Sequence, residues 1–195
     1  MSFYPPKISE YFHRPKNVGK AAGANAVGTN ATFVCGAGLR FSLRIDATSK
    51  EVLDAKFQTN GCGFLIAAAE VTAEKIIGKL TTELHALDKN NLQAEIENAL
   101  GKFPERRAHC LNLTVETLQN TFADFRVRQV EEFAGEKALI CSCFGVSEEA
   151  VENAIKENAL ETVEAVTDFC NAGGGCGSCQ PLIEDILDVY RREKF

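Results

Sequence analysis

Between residues 39 and 58 the chain alternates between apolar and polar positions. Leu39, Phe41, Leu43 and Ile45 alternate with Arg40, Ser42 and Arg44, the period of two expected of a half-buried strand. Asp46–Lys50 reads as a turn. Leu53, Ala55 and Phe57 then alternate with Asp54, Lys56 and Gln58, which predicts the second strand of a hairpin. The preceding stretch, Gly19–Asn30, is rich in Gly, Ala and Asn and reads as a loop.

After Gly63 the period lengthens. Ile66, Ala69, Ala73, Ile76, Ile77 and Leu80 fall on one helical face. Further helices are predicted over Leu92–Leu100 and over a longer segment carrying Leu111, Leu118, Phe122 and Phe125. Strands followed by helices predict an α+β domain, a small antiparallel sheet packed by helices. The pattern breaks around Arg128–Lys137, which suggests a domain over residues 1–130, a linker at 131–137 and a small, mainly helical domain over 138–195. In that second part Ser147 is placed as an N-cap, with Glu148 and Glu149 in the first turn and Val151, Ala154 and Ile155 inward. Pro181 suits the first turn of a last helix with Leu182, Ile183, Ile186, Leu187 and Tyr190 as its apolar face.

Composition narrows the function classes. At 195 residues and 45% hydrophobic, the chain can bury a core in each part. The net charge of -6 is uneven: from Ala134 onward there are 5 basic and 12 acidic residues. That balance argues against nucleic-acid binding and suggests that any docking partner of the second domain presents a basic patch. No apolar run is long enough for a membrane span or a signal peptide, so no membrane partner and a reducing, cytoplasmic compartment are expected. There, 8 cysteines read as metal ligands or redox groups rather than disulfides.

The cysteines fall into two sets. Cys141 and Cys143 form a C-x-C pair; Cys176 and Cys179 form a C-x-x-C pair after Gly173–Gly175, with 32 residues between Cys143 and Cys176. Four thiolates suit a two-iron cluster or zinc. Spacing leaves both open, with scattered free thiols as the third option. The run Cys-Ser-Cys-Phe-Gly-Val-Ser at 141–147, the gap and Ala-Gly-Gly-Gly-Cys-Gly-Ser-Cys at 172–179 resemble the bacterioferritin-associated-ferredoxin-like [2Fe-2S] domain over about Ala138–Tyr190. This resemblance implies that Cys141, Cys143, Cys176 and Cys179 hold a permanent [2Fe-2S] cluster. Cys170 lies outside the motif and reads as a small buried residue beside the cluster loop.

In the first domain Cys35 precedes one hairpin strand and Cys62 follows the other, so both belong at one end of the sheet. Cys62 also precedes a helix N-terminus, which favours thiolate. His109–Cys110 is a third candidate, and nothing in the spacing shows that it reaches the other two. The segments Glu10–Gly19, Phe57–Gly63 (Phe-Gln-Thr-Asn-Gly-Cys-Gly) and Ala108-His109-Cys110 resemble the IscU/NifU N-terminal scaffold family across about Tyr11–Phe125. The joint pattern resembles NifU-like proteins. It implies that Cys35, Cys62 and Cys110, with His109 as auxiliary ligand or proton handler, hold a transient [2Fe-2S] cluster, iron or zinc. It also implies a cysteine desulfurase as sulfur source, apo iron–sulfur acceptor proteins as clients, an electron donor, and a homodimer.

This sequence departs from the family pattern at Ala37, where an aspartate is usual. Loss of that oxygen ligand predicts a longer-lived cluster. Arg107 stands where a lysine is usual, and no third domain with its own C-x-x-C follows before Phe195. His13 and His85 have no clustered partners and read as surface residues. No phosphate loop, paired catalytic carboxylates or Ser-His-Asp context is present, so a carrier and assembly platform, not an enzyme, is expected. The rival reading is a redox- or iron-sensing protein with a stable cluster or zinc at the first site.

Overall fold

The computed structural model describes residues 3–85, 89–135 and 137–193. The elements run α1 (Pro6–His13), β1 (Ala26–Ala31), β2 (Gly38–Ile45), β3 (Val52–Thr59), α2 (Gly63–Ile76), α3 (Thr81–His85), α4 (Lys89–Leu100), a 3-10 turn (Glu105–Arg107), α5 (Ala108–Glu131), β4 (Leu139–Cys141), β5 (Val146–Ser147), α6 (Glu148–Asn158), α7 (Val163–Cys170) and α8 (Gln180–Glu193). The chain divides into two compact units. One comprises Met1–Leu80 with Leu87–Phe125; the other comprises Thr81–Ala86 with Arg126–Phe195.

In the first unit β1, β2 and β3 form an antiparallel sheet with β2 in the centre. Leu39, Phe41, Leu43 and Ile45 are all buried, as the alternation requires. The second strand departs from expectation. The register shifts between Arg44 and Ile45, so Ile45 pairs with Val52, which is fully buried, while Leu53 turns outward. An unpaired extra residue reverses the faces on one side of the bulge, which plain alternation does not show.

The stretch read as loop, Gly19–Asn30, contains most of β1. Its small residues serve close packing rather than a turn. A Cβ on Gly28 would lie 2.7 Å from Thr117 O and closer still to Thr121, so β1 rests directly on the backbone of α5. Helix α5 also serves the outer edge of β1. Asp124 Oδ2 accepts from Val27 N at 2.8 Å, and Asn120 Nδ2 donates to Thr29 O at 3.4 Å. Thr114, Thr117 and Thr121 are buried on this helix, each donating to the carbonyl four residues back.

Helix α2 was expected to bury one face. It is buried almost all round, including Phe64, Leu65, Ala67, Ala68 and Val71, because α1, α4 and the sheet pack against it. Ile77 and Leu80 lie beyond its end and are partly exposed. Its Glu70 is 1% exposed and accepts from Lys16 N, Asn17 N and Asn17 Nδ2 at 2.8 to 3.0 Å. This buried carboxylate ties the segment after α1 to the core. The expected helix at Leu92–Leu100 is α4.

In the second unit β4 and β5 form a short antiparallel pair leading into α6. Ser147 Oγ accepts from Ala150 N at 3.2 Å, the expected N-cap, and Val151, Ala154 and Ile155 are buried. Helix α7, absent from the sequence reading, is capped by Thr162 and ended by Asn171 in the left-handed region. Val146, Val151, Ile155, Val166, Ile183 and Leu187 build the core together with Cys141, Cys143 and Cys179. Leu182 was placed on the inward face of the last helix but is exposed; Ile183 and Leu187 fill that face alone, with Ile186 and Tyr190 at its margin. Among the described residues no helix is long and apolar enough to cross a membrane.

Candidate metal centres

The first site lies within the first unit, where a loop and two helix N-termini meet. Cys35 sits in the loop between β1 and β2. That loop is pinned to the segment before Cys62: Gly38 N donates to Asn60 Oδ1 at 2.7 Å, and Thr59 Oγ1 donates to Gly38 O at 2.6 Å. Cys62 is the residue preceding α2. The 3-10 turn delivers Arg107 and then the first turn of α5, which carries His109 and Cys110.

These residues meet in pairs. Cys35 Sγ lies 3.3 Å from His109 Nε2, and Cys62 Sγ lies 3.9 Å from Cys110 Sγ. Two sulfurs bound to one tetrahedral metal at about 2.3 Å stand about 3.8 Å apart, so the second pair is already at ligand spacing. Cys35 is exposed, Cys62 half-buried and Cys110 buried, which makes the site open on one side. Among the described residues no three such side chains stand in a finished ion-ligand geometry, and thiol hydrogen bonds hold the pairs.

The pair is electrostatically unequal. The Cys110 hydrogen bond lowers the Cys62 thiol to about 5; amide donors at Leu65 and Phe64 and the nearby Arg107 add to this, against the opposing effect of burial. Arg107 Nη1 is 3.9 Å from Cys62 Sγ. Cys110 is pushed up by the same hydrogen bond and by burial. Cys62 is thus the more acidic thiol of the pair, with Cys110 as its hydrogen-bond donor. Ala37 is buried and offers no oxygen ligand. The sequence marked Arg107 only as standing where a lysine is usual; its contact with Cys62 depends on the 3-10 turn, which has no clear sequence signal.

The second site brings four cysteines together, three of them buried and Cys176 exposed. Cys141, Ser142, Cys143, Cys176, Ser178 and Cys179 line one cavity of about 70 Å³ with Ile140, Gly175 and Gly177. Cys143 and Cys176 sulfurs are 3.5 Å apart. The Cys141 thiol is held well below its ordinary value by donation from Cys143 and Cys179, whose own thiols are pushed up. Burial raises Cys176, but Ser178 and Cys143 outweigh it and the net shift is downward. A Cβ on Gly175 would lie 2.8 Å from Cys143 Cβ and 2.9 Å from its sulfur, so only glycine leaves the cradle open. Four convergent sulfurs around a cavity that any side chain at 175 would fill fit a small iron–sulfur cluster.

All 8 cysteines are free thiols. Cys170 packs against the second unit's core and donates to Val166 O at 3.2 Å, apart from the four-sulfur cavity. His13 is exposed, and the side chain of His85 lies outside the described residues.

Comparison with known proteins finds a family match for each part of the chain. Residues 3–132 match the NifU-like N terminal domain family, and residues 139–189 match the BFD-like [2Fe-2S] binding domain family. The nitrogen fixation protein NifU of Azotobacter chroococcum mcd 1 is 37% identical over 94% of this chain and 58% of its own length. The NifU of Trichormus azollae is 35% identical over 98% of this chain and 65% of its own length. The chain thus spans about three-fifths of the length of these relatives. The iron-sulfur cluster assembly scaffold protein IscU of Aquifex aeolicus is 33% identical over 78% of this chain and 94% of its own length. The chain belongs to the NifU-like scaffold family, carrying the NifU-like N terminal domain joined to a BFD-like [2Fe-2S] binding domain.

Proposed function

We propose that this protein is an iron–sulfur cluster assembly scaffold. Cys35, Cys62 and Cys110 accept sulfur and iron, build a transient cluster and pass it to apo-proteins. His109 serves as the exchangeable fourth position. The observation that carries this reading is that Cys35 stands 3.3 Å from His109 and Cys62 3.9 Å from Cys110, two pairs joined by the adjacent His109 and Cys110 in the first turn of α5. Three sulfurs and an imidazole bind iron less permanently than four sulfurs, which suits a site that must release its cargo. Phe33 and Val34 are exposed beside Cys35 and offer apolar purchase to a cysteine desulfurase presenting its sulfur there.

The second site holds a resident [2Fe-2S] cluster on Cys141, Cys143, Cys176 and Cys179, which supplies electrons one at a time. Reduction is needed because sulfur delivered as a persulfide must take up two electrons to become sulfide. The chain is a platform rather than an enzyme with its own turnover, working in a reducing, cytoplasmic setting. Anaerobic incubation with a cysteine desulfurase, cysteine, ferrous iron and a thiol reductant tests the reading. A second cluster is expected to form and then move to apo-ferredoxin, and Cys62→Ser is expected to abolish this step. A wild-type chain that transfers nothing would contradict the proposal.

The rival reading, a redox or iron sensor, draws its support from Ala37. Without a carboxylate in the Cys35 loop the first site has no hard ligand to loosen a finished cluster. A cluster at the first site that stays bound for hours beside excess apo-ferredoxin would favour it.

A further inference from the structure

Next to the four-sulfur cavity, along the Gly173–Gly177 loop, is an open groove of about 760 Å³. Its walls are the α7 face carrying Glu164, Thr167 and Asp168 and the start of α8, with Glu184 further along. Its floor is Gly173, Gly174, Gly175 and Gly177. Gly175 and Gly177, which flank Cys176, line both spaces, so the groove adjoins the sulfur cavity. Thr167 Oγ1 donates to Ala172 O at 2.7 Å and Gln180 Nε2 to Gly173 O at 3.1 Å, which fixes this loop to both helices.

The charge of the groove is one-sided. Every charged residue lining it is a carboxylate: Glu164, Asp168 and Glu184. Glu184 pairs with Arg191 at 2.8 Å, whereas Glu164 and Asp168 are exposed and make no ion pair among the described residues. The segment from Ala134 onward is strongly acidic as a whole. A carboxylate rim selects a cationic partner and steers its approach. The shared glycines bring a partner seated in the groove up against the loop that carries Cys176.

We propose that this groove docks a small one-electron redox protein whose cofactor edge is ringed by lysine and arginine. The inference rests on a resident [2Fe-2S] cluster at the second site and adds to it the face through which electrons pass. One electron passes between the partner's carrier and one iron of the pair, which goes from ferric to ferrous when the partner donates and from ferrous to ferric when a ferric haem accepts; no bond is made or broken and no proton is required.

The test uses the full chain and ferricytochrome c, a small haem protein with lysines around its exposed haem edge, as the probe. The dithionite-reduced protein is mixed with the probe and the second-order rate followed against ionic strength. The double variant Glu164→Lys/Asp168→Lys is expected to lose about tenfold in rate at low salt and most of its salt dependence. Its rate with ferricyanide, an anion that gains nothing from the rim, is expected not to fall. Glu164→Gln/Asp168→Asn should fall between and covers the case in which the lysine pair unfolds the domain. Carbodiimide cross-linking to the probe should map to Glu164 or Asp168. Unchanged rates in both double variants, or an equal loss in Glu157→Lys on the separate helix α6, would overturn the proposal. A purified chain lacking Cys176-dependent visible absorption would instead overturn the cluster assignment on which it rests.

Discussion

At the residue scale the first site is organised by the inequality of Cys62 and Cys110. Cys62 has its thiol lowered to about 5, first by the Cys110 hydrogen bond. The metal-free protein should therefore show iodoacetamide reactivity at Cys62 with a midpoint near pH 5, while Cys110 stays unreactive up to pH 9. Cys110→Ala should move that midpoint upward more than Arg107→Ala does, because the thiol donor outranks the guanidinium among the causes. A lowered thiol contributes stability that is present above its ordinary value of 9.0 and lost as pH falls toward 5. Cys110, shifted the other way, offsets part of it. Ala37 makes a second residue-scale prediction. Ala37→Asp should speed cluster transfer to apo-ferredoxin by roughly tenfold, since ligand-shell changes of this kind alter metal retention by about that factor. Equal transfer rates and equal iron affinity would remove any role for position 37. Cys35, Cys62 and Cys110 were legible because each carries a glycine or histidine neighbour in a family motif. Arg107 was not, since an arginine in a charged run looks the same whether it faces water or sulfur.

At the element scale, the helices with strong apolar spacing were readable and the elements built from small or polar residues were not. β1 was hidden because Ala26–Ala31 is chosen for close approach to α5, and its composition imitates a loop. Gly28→Ala should destabilise the fold by about 1–3 kcal/mol, an overpacking cost, measured by urea denaturation. A cost below about 0.5 kcal/mol would mean that β1 can lift from α5 freely. Glu70 was equally hidden, because a glutamate in a helix normally faces water. Glu70→Ala strands three donors of Lys16 and Asn17 and should cost on the order of 3 kcal/mol by the same measurement. The bulge at Arg44/Ile45 explains why Leu53 faces outward although the alternation put it inward. Register depends on the partner strand, which a single run of residues does not contain.

At the scale of the whole molecule the two sites differ in the way their proposed tasks differ. The four-sulfur cavity is lined by three buried cysteines and the exposed Cys176. The first site is open, built from two pairs, with Cys35 exposed. An all-sulfur cradle suits retention and a mixed sulfur and imidazole site suits exchange. The most direct test is the iron and acid-labile sulfide content of the anaerobically purified protein, compared with Cys35→Ala and Cys176→Ala. The account predicts two irons and two sulfides per chain that survive loss of Cys35 and disappear on loss of Cys176. Retention of that cluster in Cys176→Ala, or its loss in Cys35→Ala with the fold intact, would contradict the division of labour between the two sites.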